Sequence, residues 1–143
     1  MNNLPLVKIA ICFFETPSKK ILILKRNPLV YQGNTWGPVG GKVEKNEEPL
    51  CAVQREVGEE VNVKVTKKDF KYIGKYNAHH DNMLAECYVY KVFVSNIFKP
   101  KLRQEEAIDF KWVSYKDLYN MDNVMKGLHE LLDRAKDKLK IKV

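Results

Sequence analysis

The stretch Gly40-Gly41-Lys42-Val43-Glu44-Lys45-Asn46-Glu47-Glu48-Pro49-Leu50-Cys51-Ala52-Val53-Gln54-Arg55-Glu56-Val57-Gly58-Glu59-Glu60-Val61-Asn62-Val63 decides how the rest of the chain is read. Leu50, Val53, Val57 and Val61 recur at steps of 3, 4 and 4, which lines one face and predicts a helix over Pro49–Val61. Pro49 suits the first helical position, where its missing N–H costs nothing. Glu47 and Glu48 lie at the positive end of the helix dipole. Asn62 follows the last helical residue, and Asn ranks after Gly for a left-handed C-terminal cap. Glu56, Glu59 and Glu60 stand at i, i+3 and i+4, within an arc of about 100° beside the apolar stripe. Like charges so close repel by a few tenths of a kcal/mol per pair. Arg55 can offset one of them, and a hard divalent cation suits the remaining carboxylate oxygens. A bare ExxEE is more often a solvated acidic face; the glycine-rich loop at a fixed distance before it argues for a site.

Upstream, Val7–Phe14 (VKIAICFF) is apolar and β-branched and predicts a buried strand. Thr16-Pro17-Ser18-Lys19 reads as a turn, and Ile21–Leu24 as a returning strand that ends at Lys25-Arg26. Asn27–Pro38 is rich in Asn, Gly and Pro and reads as a loop, with a short strand over Gly40–Val43. Downstream, Phe70–Tyr76 and Met83–Val94 read as strands, with a polar loop between them that holds His79 and His80. Ile97–Glu106 reads as a loop and Asp109–Val113 as a short strand carrying Trp112. Ser114 with Asp117 three residues on resembles a capping box, and the last helix is expected over Asn123–Leu139. Strands, a helix, more strands and then helices describe a mixed sheet covered by helices, not a regular βαβ alternation. No GxGxxG or Walker loop occurs, so a dinucleotide fold or a P-loop is not supported.

The chain has 143 residues, 45% of them hydrophobic and 30% charged, the balance of one globular domain spanning 1–143. Lys and Arg total 25 against 18 Asp and Glu, for a net charge of +7. The excess either draws phosphorylated partners or serves solubility alone. Lys136, Lys138, Lys140 and Lys142 place part of it in a solvated helix end and tail. Cys12, Cys51 and Cys87 are odd in number and form no CxxC pair, which argues against disulfides or structural zinc; all three read as small core residues. Met1-Asn2-Asn3-Leu4-Pro5-Leu6 has neither a basic segment nor a long apolar run, so no signal peptide or membrane span is expected and cytoplasm is the default location.

The pattern G-x5-E-x7-R-E-U-x-E-E-x-G-U, with U aliphatic, is the Nudix box, and Gly41, Glu47, Arg55, Glu56, Val57, Glu59, Glu60 and Val63 match it. The sequence therefore resembles the Nudix hydrolase family. Asn62 departs, standing where the family has glycine, and Pro38 stands one place earlier than in the Pro-Gly-Gly of many members. The resemblance implies an α/β fold, a Nudix-type α/β/α sandwich around a mixed β-sheet, and hydrolysis of a nucleoside diphosphate linked to another moiety with Mg2+ or Mn2+. It implies that Glu56, Glu59, Glu60 and the Gly40 carbonyl hold metal, and that Glu47 and Arg55 brace the helix. A further acid before the Trp-bearing strand, Glu106 or alternatively Glu105, would be a ligand or the general base.

Arg26 and Lys42 are candidates to hold phosphate oxygens. Trp36 either stacks on a base or is a hinge of the core beneath its loop. His79 and His80 either contact substrate or metal or lie in an exposed loop, and His129 reads as surface. The leading functional expectation is a (d)NTP or modified-nucleotide pyrophosphohydrolase. The alternatives are hydrolysis of a diadenosine polyphosphate, ADP-ribose, a dihydropterin triphosphate or an RNA 5′ end, and a non-catalytic nucleotide-binding regulator. Either a monomer or a homodimer is compatible with the sequence.

Overall fold

The structure, a computed structural model, describes residues 4–141. Met1–Asn3 of the segment read for a leader, and Lys142 of the basic tail, lie outside the described residues. The chain forms β1 (Leu6–Glu15), β2 (Lys20–Arg26), β3 (Trp36–Gly37), β4 (Val39–Lys42), α1 (Pro49–Val61), β5 (Lys71–His80), β6 (Met83–Phe93), β7 (Ala107–Ser114), α2 (Tyr115–Asn120) and α3 (Leu128–Leu139). The strands make one mixed sheet. β1 pairs parallel with β6 and antiparallel with β2 and β4, while β5 pairs with β6, and β2 with β3 and β7.

Strand β1 organises the interior. Successive side chains of a strand point to opposite faces, and here both faces are covered, which is why VKIAICFF is apolar throughout rather than alternating. Ala10, Cys12 and Phe14 pack with Ala52, Val53, Val57 and Val61 of α1. Ile11 and Phe13 pack with Leu118 of α2 and Leu128, Leu131 and Leu132 of α3. Helices thus cover the sheet on both sides, the expected α/β/α sandwich. Among the described residues no helix is long and apolar enough to cross a membrane.

The box helix has the expected bounds, and Asn62 caps it at φ 57°, ψ 37°, the left-handed conformation. Ser114 caps α2 by accepting the Asp117 N–H at 3.0 Å. Three expectations are corrected. The polar segment after Tyr76 is strand, not loop: β5 runs to His80, which pairs with Met83 across a turn at Asp81 (φ 52°). Its polar residues Asn77 and His79 are the exposed half of a period-2 pattern, while Ala78 and His80 are buried. The last helix starts at Leu128, because the preceding backbone is used elsewhere: Trp36 N–H donates to Asn123 O at 2.9 Å and Met125 N–H to Trp36 O at 3.0 Å. Finally, β3 lies within the stretch read as the Asn27–Pro38 loop.

The left-handed cap gives a direct test. Asn62→Gly is expected to melt at or slightly above the wild type, since glycine pays least at positive φ. Asn62→Val is expected to cost about 1–2 kcal/mol, because a β-branched side chain resists that conformation. Thermal melts of both variants check this, and a wild-type melt for Asn62→Val would remove the cap argument.

Candidate active site

Helix α1 lies against β4, and two glycines set how close they come. A Cβ on Gly40 would sit 2.3 Å from Ala10 O, so the β4 backbone could not pair with β1 as it does. A Cβ on Gly41 would sit 2.5 Å from Glu56 Cδ, in the space the Glu56 carboxylate occupies. From the end of α1, Glu60 reaches back to β4, where its Oε1 accepts the Gly40 N–H at 2.8 Å.

Arg55 ties this end of the molecule together. Its Nε and one terminal nitrogen donate to the two Glu47 oxygens at 2.9 and 3.0 Å, a bidentate pair. The other terminal nitrogen donates to Glu56 Oε1 at 2.9 Å and to Glu59 Oε2 at 3.4 Å. A further bond, 3.0 Å, goes to the Lys42 carbonyl. The hydrogen bonds from Arg55 and from the Glu44 N–H hold the Glu47 carboxyl down at about 2. Glu56 moves the other way: burial raises it, against the pull of Arg55. Glu60 is pushed up to about 8, chiefly by burial; the Gly40 N–H opposes the rise, and Glu56 and Glu106 add to it.

These acids border a cavity of about 570 Å3, which also takes in Arg26, Lys42, Arg103 and Glu106. Of the two alternatives before the Trp-bearing strand, the structure brings Glu106 to the cavity. Glu105 is exposed and faces Arg103 at 3.7 Å. Arg26 lines the cavity and its Nε donates to Tyr31 O at 2.7 Å. Trp36, which the sequence left open as a base-stacking substrate contact or a hinge of the core, lies in the core: it is 7% exposed, packs with the residues under α3, and carries Lys111 Nζ over its ring at 4.6 Å. His79 is exposed and pairs with Glu130, whereas His80 is buried in the cavity wall. His129 is half-buried and bonds the Met121 carbonyl. Cys12 and Cys87 are buried as expected and Cys51 is half-buried.

Beyond the acids the cavity runs between the sheet and α3, where Ile9, Ile11, Ala78, Ala85, Leu128 and Leu131 line it. Gln32, Arg103 and Lys126 belong to its wall and were not singled out as site residues from the sequence, and His80, left open there between a substrate or metal contact and an exposed loop, belongs to it too. For His80 a signal existed: Ala78 and His80 share one face at period 2. Gln32 and Lys126 reach the cavity through tertiary contacts that no local pattern announces.

Carboxylate oxygens are the donors a hard cation takes. Glu60 is desolvated with a single backbone donor, and Glu56 is only partly offset by Arg55, so positive charge is what the cluster lacks. The residues therefore fit a divalent cation in chemistry. They are not already gathered around one: among the described residues no three His, Cys, Asp or Glu side chains converge on a common ion position. Glu56 and Glu59 lean on Arg55, and Glu60 on Gly40.

A mixed sheet with helices on both faces, and an acid-bearing helix docked on a glycine-rich strand, defines the Nudix-type sandwich. The NUDIX domain family model matches residues 5–135, and the chain belongs to that family. It is a hydrolase acting on pyrophosphate bonds. Its structure is similar to a MutT protein from Methanosarcina mazei Go1, with TM-score 0.80 and 21% identity, covering 97% of this chain and 99% of that one. It is similar also to a C. elegans Ap4A hydrolase in a binary complex, with TM-score 0.68 and 20% identity over 94% and 98% of the two chains. A bifunctional NMN adenylyltransferase/ADP ribose pyrophosphatase from Francisella tularensis, complexed with AMP and a Mn ion, matches with TM-score 0.69 and 18% identity, over 96% of this chain and 43% of that one.

Two outcomes follow from this geometry. Gly41→Ala should leave the fold intact, since only the end of a flexible side chain has to move. Displacing the Glu56 carboxylate should lower turnover by about a hundredfold; melts alongside initial rates check both parts. Glu47 has a folded pKa below its ordinary 4.5, so its contribution to stability is present above that value and is lost as pH falls toward about 2. Glu47→Gln should therefore be less stable than the wild type at neutral pH and should lose less on acidification across that window, as read from denaturant midpoints at a series of pH values.

Proposed function

We propose that this hydrolase is a magnesium-dependent nucleotide pyrophosphohydrolase, which opens a (d)NTP or a modified nucleotide at its diphosphate linkage and releases a nucleoside monophosphate. The observation that carries this is one continuous cavity with four carboxylates at one end and carbon at the other. Its volume lies in the range of small-ligand pockets, and its two ends match the two ends of a nucleotide. The similar structures named above include an Ap4A hydrolase and a bifunctional NMN adenylyltransferase/ADP ribose pyrophosphatase with AMP and a Mn ion, which supports a nucleotide substrate and Mn2+ as a substitute ion.

Glu56, Glu59, Glu60 and the Gly40 carbonyl would hold the ion. Bound there, magnesium supplies positive charge that offsets the phosphate oxygens and polarises the anhydride. The protein's own residues do the rest. Arg26, Arg103 and Lys42 line the acidic end and face the phosphate oxygens, Arg offering paired donors. Glu106, which approaches the acids of α1 from the segment before β7, takes a proton from water as its oxygen attacks one phosphorus. The bond from that phosphorus to the bridging oxygen breaks, and the leaving phosphate carries away the electron pair. Arg55 and Glu47 touch no reacting atom in this scheme; they position Glu56.

Activity should vanish in excess EDTA and return with magnesium, with calcium a poor substitute because its ligand distances are longer, ~2.3–2.6 Å against ~2.0–2.1 Å. Glu56→Gln and Glu60→Gln should each lower turnover by about a hundredfold or more while the protein stays folded. Glu59→Gln should do less, its side chain being 43% exposed. A panel of nucleoside triphosphates, diadenosine tetraphosphate, ADP-ribose, dihydropterin triphosphate and 5′-triphosphorylated RNA, scored for monophosphate, pyrophosphate and phosphate, decides the substrate. Full activity in EDTA defeats the metal assignment. Faster turnover of any compound outside the mononucleotides defeats the substrate assignment.

A further inference from the structure

Glu106 does not stand on α1 with the other acids of the cavity. It comes from the turn 103–106 before β7, and its charge bears on both Glu56 and Glu60. A carboxylate on a turn inherits the turn's freedom, and a reacting group misplaced by about 1 Å can lose about a hundredfold in rate. The backbone of this turn is fastened on two sides. On one, the Arg103 N–H donates to Glu60 O at 3.3 Å, at the end of α1, and the Glu106 and Ala107 N–H groups close on Arg103 O at 2.9 and 3.0 Å. On the other stands Asn27, the residue after β2. Here β2 and β7 lose register between Lys25 and Arg26, which leaves Ile108 unpaired in that ladder. Asn27 takes over where the regular pairing stops.

All four polar groups of Asn27 are engaged. Its backbone N–H donates to Glu106 O at 2.8 Å and its Nδ2 to Gln104 O at 2.8 Å. Its Oδ1 accepts the Leu29 N–H at 2.9 Å and its carbonyl the Val30 N–H at 3.2 Å. Both side-chain partners are backbone groups with a single role each, so the amide is oriented with its oxygen toward Leu29 and its nitrogen toward Gln104. The bond to Leu29 is the turn that asparagine makes with its own chain two residues on. The bonds to Gln104 and Glu106 point outward and hold the piece of backbone from which Glu106 projects. We propose that Asn27 is a positioning residue for the hydrolysis: its side-chain amide fixes the backbone of 104–106 so that the Glu106 carboxylate is aimed at the attacking water. The inference rests on the reading of Glu106 as the general base.

Two substitutions separate the outward bond from the inward one. Asn27→Asp keeps an oxygen for the Leu29 N–H but sets its other oxygen against Gln104 O, where neither donates. Asn27→Ser can also accept from Leu29, adds no charge, and is too short to reach Gln104. Each should lower kcat about tenfold on the compound of the panel above that the wild type hydrolyses fastest, with KM within about twofold. Amide exchange followed by NMR, without substrate or metal, should quicken at Glu106 and Ala107 and stay unchanged at Leu29. Glu106→Gln alone should lower kcat about a hundredfold. Adding Asn27→Ser to it should change kcat by less than about twofold, since the aim of an absent base no longer matters. Wild-type kcat in both Asn27 variants, unchanged exchange at Glu106 and Ala107, a rise in KM alone, or a further tenfold loss in the double variant overturns the proposal and leaves Glu106 as the base. If one Asn27 variant does not fold, the other decides. Wild-type turnover in Glu106→Gln, or hydrolysis of no compound in the panel, defeats instead the proposed reaction, and the positioning role falls with it.

Discussion

Arg55 is bonded at once to Glu47, Glu56, Glu59 and the carbonyl of Lys42. Those contacts join the loop before α1, the helix and β4. Without a cation at that point, acids at i, i+3 and i+4 would push one another off the helix face. A lysine would not serve, because only the planar fork of arginine reaches this many acceptors in fixed directions. The guanidinium does not reach Glu60. The acids are thereby divided by environment: Glu47 is held far into its ionised range, while Glu60, half-buried, its carboxylate desolvated and given a single N–H, is the one whose charge is costly. The same helix therefore carries both a permanently satisfied brace and an unsatisfied group that invites a positive ligand.

What lets the acids approach β4 is the absence of side chains. Gly40 yields to the backbone of β1 and Gly41 to the carboxylate of Glu56. These are steric needs, and they explain why two glycines stand together in a strand, where glycine is otherwise a poor choice. The apolar chamber has a similar origin. Ala78 and Ala85 are small at a point where the sheet and α3 would otherwise fill the space between them. The cleft is thus a place where packing is withheld, bounded on both sides by packing that is complete.

Much of this was legible beforehand because it is local. The helix over Pro49–Val61 shows in the spacing of its valines, its end shows in Asn62, and the acids show in their separation along one face. The strands of the core show in their β-branched runs. What stayed hidden depends on contacts between distant segments. The polar tip of β5 was misread because one of its two buried residues, His80, is itself polar, and only pairing with β6 makes it a strand. The backbone around Asn123–Met125 has a fair helical pattern but is claimed by Trp36. Trp36 was undecided from sequence, since a tryptophan beside a glycine-rich loop serves equally as core or as platform. Lys91, in the middle of an apolar strand, gives no hint that it is buried against Glu15 at 2.9 Å and donates to the Leu139 carbonyl.

The parallel ladder between β1 and β6 bears on how the protein comes to exist. Ile9 pairs with Cys87 and Phe14 with Val92, so β4 and α1, with Glu56, Glu59 and Glu60, lie inside the long loop that this pairing closes. The box helix and its brace are built from neighbours in sequence and need little chain closure. The central ladder must bear the entropy of ordering the whole intervening segment before its contacts repay it. A nascent chain therefore holds the glutamates of α1 well before it can shut the sheet behind them. During that interval the apolar face of β1 has no cover on its β6 edge. The topology that shelters the site thus leaves one strand exposed to wrong partners until residues near 93 have been made, and this is the stage of biosynthesis at which the chain depends on speed or on protection.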